Sequence, residues 1–377
     1  MPGKVIHAFP KTTDTIADGA KTLPQRYFVA PEVFEEEQEK IFARQWVLVG
    51  HQSEVAKPGD FFVAEVAGES LIVTHDRAQS VRGFYNVCRH RGTRLCEEER
   101  GHASAIQCPY HAWTYGLDGR LIGAPHMDEM KGFDKEKFSL HPVRLALWEG
   151  FIFVNLAASP PALDKWFGPL DGKFSQWNLG RLRSAKRVDY DVRANWKLMF
   201  ENYSECYHCP GVHPMLSKVS PYDSAENDLT EGPFLGGSMR INKGKSLTMS
   251  GEACAMRIEY EHEHEHEHDE QVFYYSIFPN MLLSMHPDYV MVHQLWPQSP
   301  EQTLIRCDWF FHPEAFDQPG FNPEDAIEFW DLTNKQDWHV CELSQQGIAS
   351  RAYAPGPYSP RESIPAAWDR EYLRRMK

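Results

Sequence analysis

The sequence predicts an α+β protein: a small antiparallel β domain, then a larger domain in which an antiparallel sheet is flanked by helices. Three observations carry this. Between residues 45 and 156, short apolar runs alternate with turn chemistry. After residue 185, longer β-type runs are joined to helical stretches, and the last of these, Pro323 to Gln346, has the apolar spacing of one long helix. The 377 residues also exceed what one ordinary domain needs.

Residues 1–44 are expected to form an N-terminal helical arm that packs with the larger domain. Its helix, about a dozen residues, begins at Pro31 and carries Val33, Phe34 and Ile41 on its apolar side. The strands WVLVGH (46–51), DFFVAEVA (60–67), ESLIVTHD (69–76) and VRGFYNVC (81–88) follow, separated by KPGD, AGE and DRAQS. FIFVNL (151–156) closes this domain, 45–156, and AASPPALDKW reads as a linker. In the larger domain, 157–377, a strand at 185–193 runs into a helix from Asn195 that ends near Cys209. Further strands fall at 271–278, 281–285, 289–296 and 303–312. The polar, charged residues 358–377 form a short terminal helix, and EHEHEHEHDE (261–270) reads as a solvated strand end or loop.

Composition narrows the function. Apolar residues at 42% suit a large packed core, and the net charge of −14 disfavours a nucleic-acid partner. No apolar run reaches the roughly 18 residues of a membrane span. MPGKVIHAFPKTT lacks an apolar signal region, so the expected location is the cytoplasm. In that compartment the eight cysteines are not a disulfide framework, and most should be buried thiols, Cys96 among them.

Cys88 and Cys108 differ because each has a histidine beside it. CRHRGTRLC gives Cys88 and His90, and CPYHAWTYGLDG gives Cys108 and His111, a C-x-H-x17-C-x2-H pattern. Zinc would accept two thiolates and two imidazoles, but the usual finger groups a Cys pair and then a His pair. Here the pairing is mixed in both loops. A two-iron, two-sulfide cluster with both cysteines on one iron and both histidines on the other, the Rieske arrangement, explains the mixture better. Gly92 and Pro109 permit tight loops around it, and Gly116 and Gly119 can turn the chain back after Tyr115.

A second constellation lies in ANWKLMFENYSECYHCPGVHP. His208 and His213 are five apart, wrong for one helical face, but Pro210, Gly211 and Pro214 break the helix and fold His213 back. Two histidines and one carboxylate make the triad of non-haem iron oxygenases. The closing helix offers Asp331, Asp337 and Glu342. Asp337 falls on the stripe of Ile327, Trp330, Val340, Cys341 and Ser344, where an unligated carboxylate would be costly, so it is the first choice and Asp331 the second. Glu205, one turn before His208, can hydrogen-bond a ligand imidazole. Cys206 and Cys209 read as thiols near the helix end, and Glu201 as a like-charged neighbour of Glu205.

Together CRHRG, CPYHAWTY and NWK…ENYSECYHC…H resemble the catalytic (alpha) subunits of Rieske non-haem iron oxygenases, over residues 25–350. The resemblance implies a catalytic domain of helix-grip, START-like form. Cys88, His90, Cys108 and His111 match that family's cluster ligands, His208 and His213 its mononuclear iron ligands, and NKQDWHVCE the helix that brings its carboxylate, which favours Asp337. It also implies O2 as co-substrate and a homotrimer in which Glu205 links His111 of one chain to His208 of the next. Glutamate there, in the wording ECYHC, looks like the branch of carnitine, choline and glycine betaine monooxygenases, which implies a quaternary ammonium substrate and C–N cleavage or demethylation. An aromatic ring or aromatic acid is the alternative substrate, and an electron carrier without oxygenase activity the alternative class. The chain has no G-x-G-x-x-G after a strand and no plant-type C-x4-C-x2-C, so NAD(P)H and flavin are assigned to a separate reductase.

Overall fold

The computed structural model describes residues 9–257 and 270–377; the His/Glu-alternating stretch lies outside these except for Glu270. The chain divides into two compact units, Gln38–Lys173 and the remainder, Met1–Glu37 with Phe174–Lys377. Among the described residues no helix is long and apolar enough to cross a membrane.

The smaller unit contains ten strands in three antiparallel sheets. Strands β1 (Val47–His51), β2 (Asp60–Val66), β3 (Glu69–His75), β4 (Val81–Tyr85) and β5 (Arg100–His102) precede three very short ones, β6 (Ile106–Gln107), β7 (Thr114–Tyr115) and β8 (Leu121–Gly123). Strands β9 (Arg144–Trp148) and β10 (Phe151–Asn155) complete the set. The sheet orders are β4-β3-β2-β5, β6-β7-β8 and β1-β10-β9. Phe61, Ile72, Phe84, Trp113, Tyr115 and Leu121 form a core that also takes in Cys88, Cys96 and Cys108. Gly119 has to be glycine: its φ is +83°, and a Cβ would lie 2.3 Å from the Phe84 ring.

This unit ends at Lys173, not at the expected 156. The stretch 157–170 is not a bare linker, because it packs. Leu163, Phe167 and Leu170 are buried, Phe167 lies 4.6 Å from Trp148 and 5.0 Å from Phe153 between ring centres, and Trp46 Nε1 donates to Pro161 O at 2.9 Å.

In the larger unit, helix α1 (Pro31–Glu37) precedes strand β11 (Arg183–Val192), which leads into helix α2 (Trp196–Tyr203), capped by the Asn195 side chain on Lys197 N. Strands β12 (Glu226–Leu229), β13 (Phe234–Ile241), β14 (Glu270–Ile277), β15 (Met281–Met285), β16 (Val290–Ser299) and β17 (Gln302–Phe311) follow, then helices α3 (Pro323–Ile348) and α4 (Ser363–Met376). The seven strands form one antiparallel sheet, ordered β11-β17-β16-β15-β14-β13-β12. Helix α4 is the short terminal helix expected within 358–377, and its polar, charged sequence gives no sign of how deeply it packs. It buries Ile364, Ala366, Ala367, Trp368, Tyr372 and Met376, with Trp368 stacked on Phe200 at 4.9 Å. Its charges are taken up within the helix, where Glu371 accepts from Arg374 and Arg375.

Candidate active site and metal centres

In the smaller unit the two cysteine–histidine loops are built alike. Cys88 N donates to Thr93 O (2.8 Å) and Gly92 N to Cys88 O (3.0 Å); Cys108 N donates to Trp113 O (2.8 Å) and Ala112 N to Cys108 O (3.1 Å). Each loop turns on a left-handed residue four beyond its cysteine, Gly92 at φ +78° and Ala112 at φ +55°. The loops bring the Cys88 and Cys108 thiols together and set the His90 and His111 rings 4.7 Å apart. His90 stacks on Trp113 at 4.8 Å, and Tyr115 Oη lies 3.3 Å from Cys88 Sγ while accepting from Arg89 N. Burial would raise the Cys108 pKa, but the backbone N–H groups of Tyr110 and His111 outweigh it and lower the pKa.

This donor set fits an iron–sulfur cluster. Backbone N–H groups already point at sulfur, and His111 Nδ1 is buried with no hydrogen-bond partner, a costly state unless a metal takes the lone pair. Cys96 is a core thiol, its pKa pushed up to about 11 by burial.

In the larger unit α2 stops at Tyr203, earlier than expected. Glu205 Oε2 accepts from the backbone N–H groups of Tyr207 and His208, drawing them out of any continuing helix. A single turn, Cys209–Val212, then brings His213 round to face His208. Cys206 and Cys209 are not free thiols: the turn closed by Cys209 N to Cys206 O leaves their Cα atoms 4.9 Å apart, and they form a disulfide.

His208 Nε2 and His213 Nε2 are 3.2 Å apart, and Asp337 Oδ1 lies 2.8 Å from His213 Nε2 and 3.2 Å from His208 Nε2. Each ring is fixed from behind. Glu205 Oε1 accepts from His208 Nδ1 at 2.5 Å, and Gln336 Oε1 from His213 Nδ1 at 2.8 Å. Both Nε2 atoms therefore face Asp337, which fits a divalent ion held by two imidazoles and a carboxylate. Burial would lower the His208 pKa, but its bonds to Asp337 and Glu205 hold it up at about 10. The same negative potential that favours a proton there favours a metal cation.

Asp331 and Glu342 are engaged elsewhere. Asp331 accepts from Tyr190 Oη and Lys335 Nζ, and Glu342 from Arg193.

The His208–His213–Asp337 group borders a cavity of about 350 Å3. Its wall includes Tyr203, Tyr274, His293, Trp330 and Trp338, linked by ring contacts of 5.9 Å (Tyr203–Tyr274), 6.4 Å (Tyr274–Trp330) and 5.9 Å (His293–Trp338). Sequence reasoning names none of these wall residues as such, nor Gln336, whose position beside Asp337 is the only signal.

A cysteine–histidine pair of loops on a small β domain, and a two-histidine, one-carboxylate centre on a sheet crossed by a long helix, define a Rieske-type non-haem iron oxygenase. The Rieske [2Fe-2S] domain family matches residues 45–134, and the ring hydroxylating alpha subunit (catalytic domain) family matches residues 179–377. The chain belongs to the latter family and is an oxygenase of that class. It is 32% identical to the glycine betaine monooxygenase oxygenase subunit of Chromohalobacter salexigens, over 90% of this chain and 82% of the relative. It is 31% identical to the carnitine monooxygenase oxygenase subunit of Escherichia coli K12, over 89% and 86%. A solved quaternary ammonium Rieske monooxygenase, described in terms of carnitine oxidation and inter-subunit electron transfer, superposes with a TM-score of 0.82. It is 27% identical, and the match covers 95% of this chain and 96% of that one.

Proposed function

We propose that the chain is the terminal oxygenase component of a multicomponent system that hydroxylates a quaternary ammonium compound at a carbon bonded to nitrogen. The hydroxylated carbon then collapses with C–N cleavage, releasing an aldehyde and a tertiary amine. In this reading His208, His213 and Asp337 hold the mononuclear iron, Cys88 and Cys108 one iron of the cluster, and His90 and His111 the other. The observation that carries the reading is the triangle of two Nε2 atoms and one carboxylate oxygen opening on an aromatic-walled cavity.

When bound, the iron supplies O2 activation and the cluster supplies electrons one at a time. The chain's own residues do the rest. Glu205 and Gln336 fix the two imidazoles. Tyr203, Tyr274 and Trp330 offer ring faces that attract a desolvated trimethylammonium group. His293 adds a wall without opposing charge, because burial pushes its pKa down to about 4 and keeps it neutral. Substrates named for the relatives, glycine betaine and carnitine, support the same class. We further infer a cytoplasmic homotrimer fed by a separate reductase that carries flavin and uses NAD(P)H, with Glu205 linking His208 to His111 of the neighbouring copy.

The test is a turnover screen of the iron-loaded protein with a surrogate reductase, offering glycine betaine, carnitine, choline and aromatic acids. Aldehyde release from the ammonium compounds alone is the expected result. Hydroxylation of aromatics alone would replace this substrate class with the alternative.

A further inference from the structure

Two acids in the larger unit are left over from the chemistry above. Glu201, on α2, is half-buried as a residue, but its Oε1 is fully shielded and has no hydrogen-bond partner of ordinary donor type. Asp369, on α4, is 3% exposed, and its Oδ1 is in the same condition. The two carboxyls are in hydrogen-bonding contact with each other. Two carboxylates are acceptors only, so that contact requires a proton on one of them.

The surroundings provide no substitute for it. Tyr358 Oη donates to Asp369 Oδ2 at 2.8 Å, occupying the other oxygen of that carboxyl. Lys197, one turn before Glu201 and fully buried, is committed to Glu37 at 2.5 Å, and Glu37 also accepts from Trp196 Nε1 and Tyr372 Oη. Arg370 gives a hydrogen bond to Ala366 O within its own helix. The remaining titratable groups near the pair are Glu362, Tyr353 and Cys341, none of which brings positive charge. Burial, and then the neighbouring charge, raise Glu201; burial raises Asp369 to about 7.

The pair lies where α4 meets α2, beside the contacts of Trp368 with Phe200 (4.9 Å) and Trp196 (5.4 Å). Glu201 is four residues before Glu205, and the chain leaving this helix delivers Glu205 and then His208.

We propose that Glu201 and Asp369 share one proton, and that this proton latches α4 to α2 and so positions Glu205 and His208 for turnover. Losing the proton would leave two adjacent buried negative charges and push the helices apart. The pair are positioning residues, acting through the end of α2. Only the turnover arm of the test rests on the role given to Glu205 and His208 above; the stability arm does not.

The sign follows from linkage. The folded pair holds its protons to higher pH than the unfolded chain, so its contribution to stability falls as pH rises from the ordinary carboxylate range through about 7, where Asp369 ionises, and on to the higher pH at which Glu201 gives up the shared proton. In Asp369→Asn and Glu201→Gln the amide supplies the hydrogen at every pH.

The experiment measures melting temperature and kcat/KM of the iron-loaded wild type and both variants from about pH 5.5 to about pH 10. Wild-type kcat/KM is expected to hold through the first ionisation near 7 and to fall at higher pH, towards about tenfold per pH unit, as the shared proton leaves Glu201, with the melting temperature falling in the same range. At least one variant is expected to flatten both curves. Variant curves that keep the wild-type shape, merely displaced by the same amount at every pH, would mean the pair is only packing and would overturn the proposal. A flattened melting curve beside an unchanged kcat/KM profile would keep the shared proton but sink its link to Glu205.

Discussion

Glu205 does two jobs with one carboxylate: Oε1 orients the His208 ring, and Oε2 takes the backbone N–H groups of Tyr207 and His208. Glu205→Gln retains the shape but replaces an anionic acceptor, and turnover is expected to fall about 10–100-fold. Steady-state rates measured at fixed reductase concentration check this, and an unchanged rate would deny Glu205 its role. Asp337→Ala removes the only anionic donor of the triangle, so iron per chain, counted by metal analysis, is expected to drop with the cluster's sulfide retained. At this scale the sequence is most legible where chemistry is rare. Two cysteine–histidine loops, and a carboxylate on an apolar helix stripe, are hard to explain otherwise. Gln336 is not legible, because an amide that orients an imidazole leaves no periodic trace. Nor is the pairing of Cys206 with Cys209, because a turn, not a helix end, lies between them.

Strands β13 and β12 explain why an element can hide. FLGGSMRI lacks alternation at its centre, yet Gly236 and Gly237 are required there. A Cβ on Gly236 would sit 2.0 Å from Tyr274 O, and one on Gly237 would sit 2.0 Å from Glu226 O. The glycines let neighbouring backbones close in where the sheet lines the cavity. Gly236→Ala, at φ +140°, is expected to destabilise the protein by about 1–3 kcal/mol or more, seen as a lower denaturant midpoint. A midpoint equal to wild type would contradict this packing. The strands with clean apolar runs, β1 to β4 and β14 to β17, and the long helix α3 are all legible, because at least one face of each meets the core, and both faces do in β1 and β15. Helix α4 is legible as a helix, but its burial is not: its charges suggest solvent, while pairing of Glu371 with two arginines and the contact of Asp369 with Glu201 allow it to be buried.

For the whole molecule, the two units hold two different donor sets, one suited to storing electrons and one to using them. In the proposed homotrimer, electrons cross from one copy's cluster to the next copy's iron through His111 and Glu205. Complementation tests it most directly. His90→Ala disables the cluster and Asp337→Ala the iron, and each variant alone should be inactive. Co-expressed in equal amounts and purified as mixed trimers, they should regain about a third of wild-type activity, the share of head-to-tail interfaces that pair an intact cluster with an intact iron centre. Mixed trimers as inactive as either parent would contradict the account.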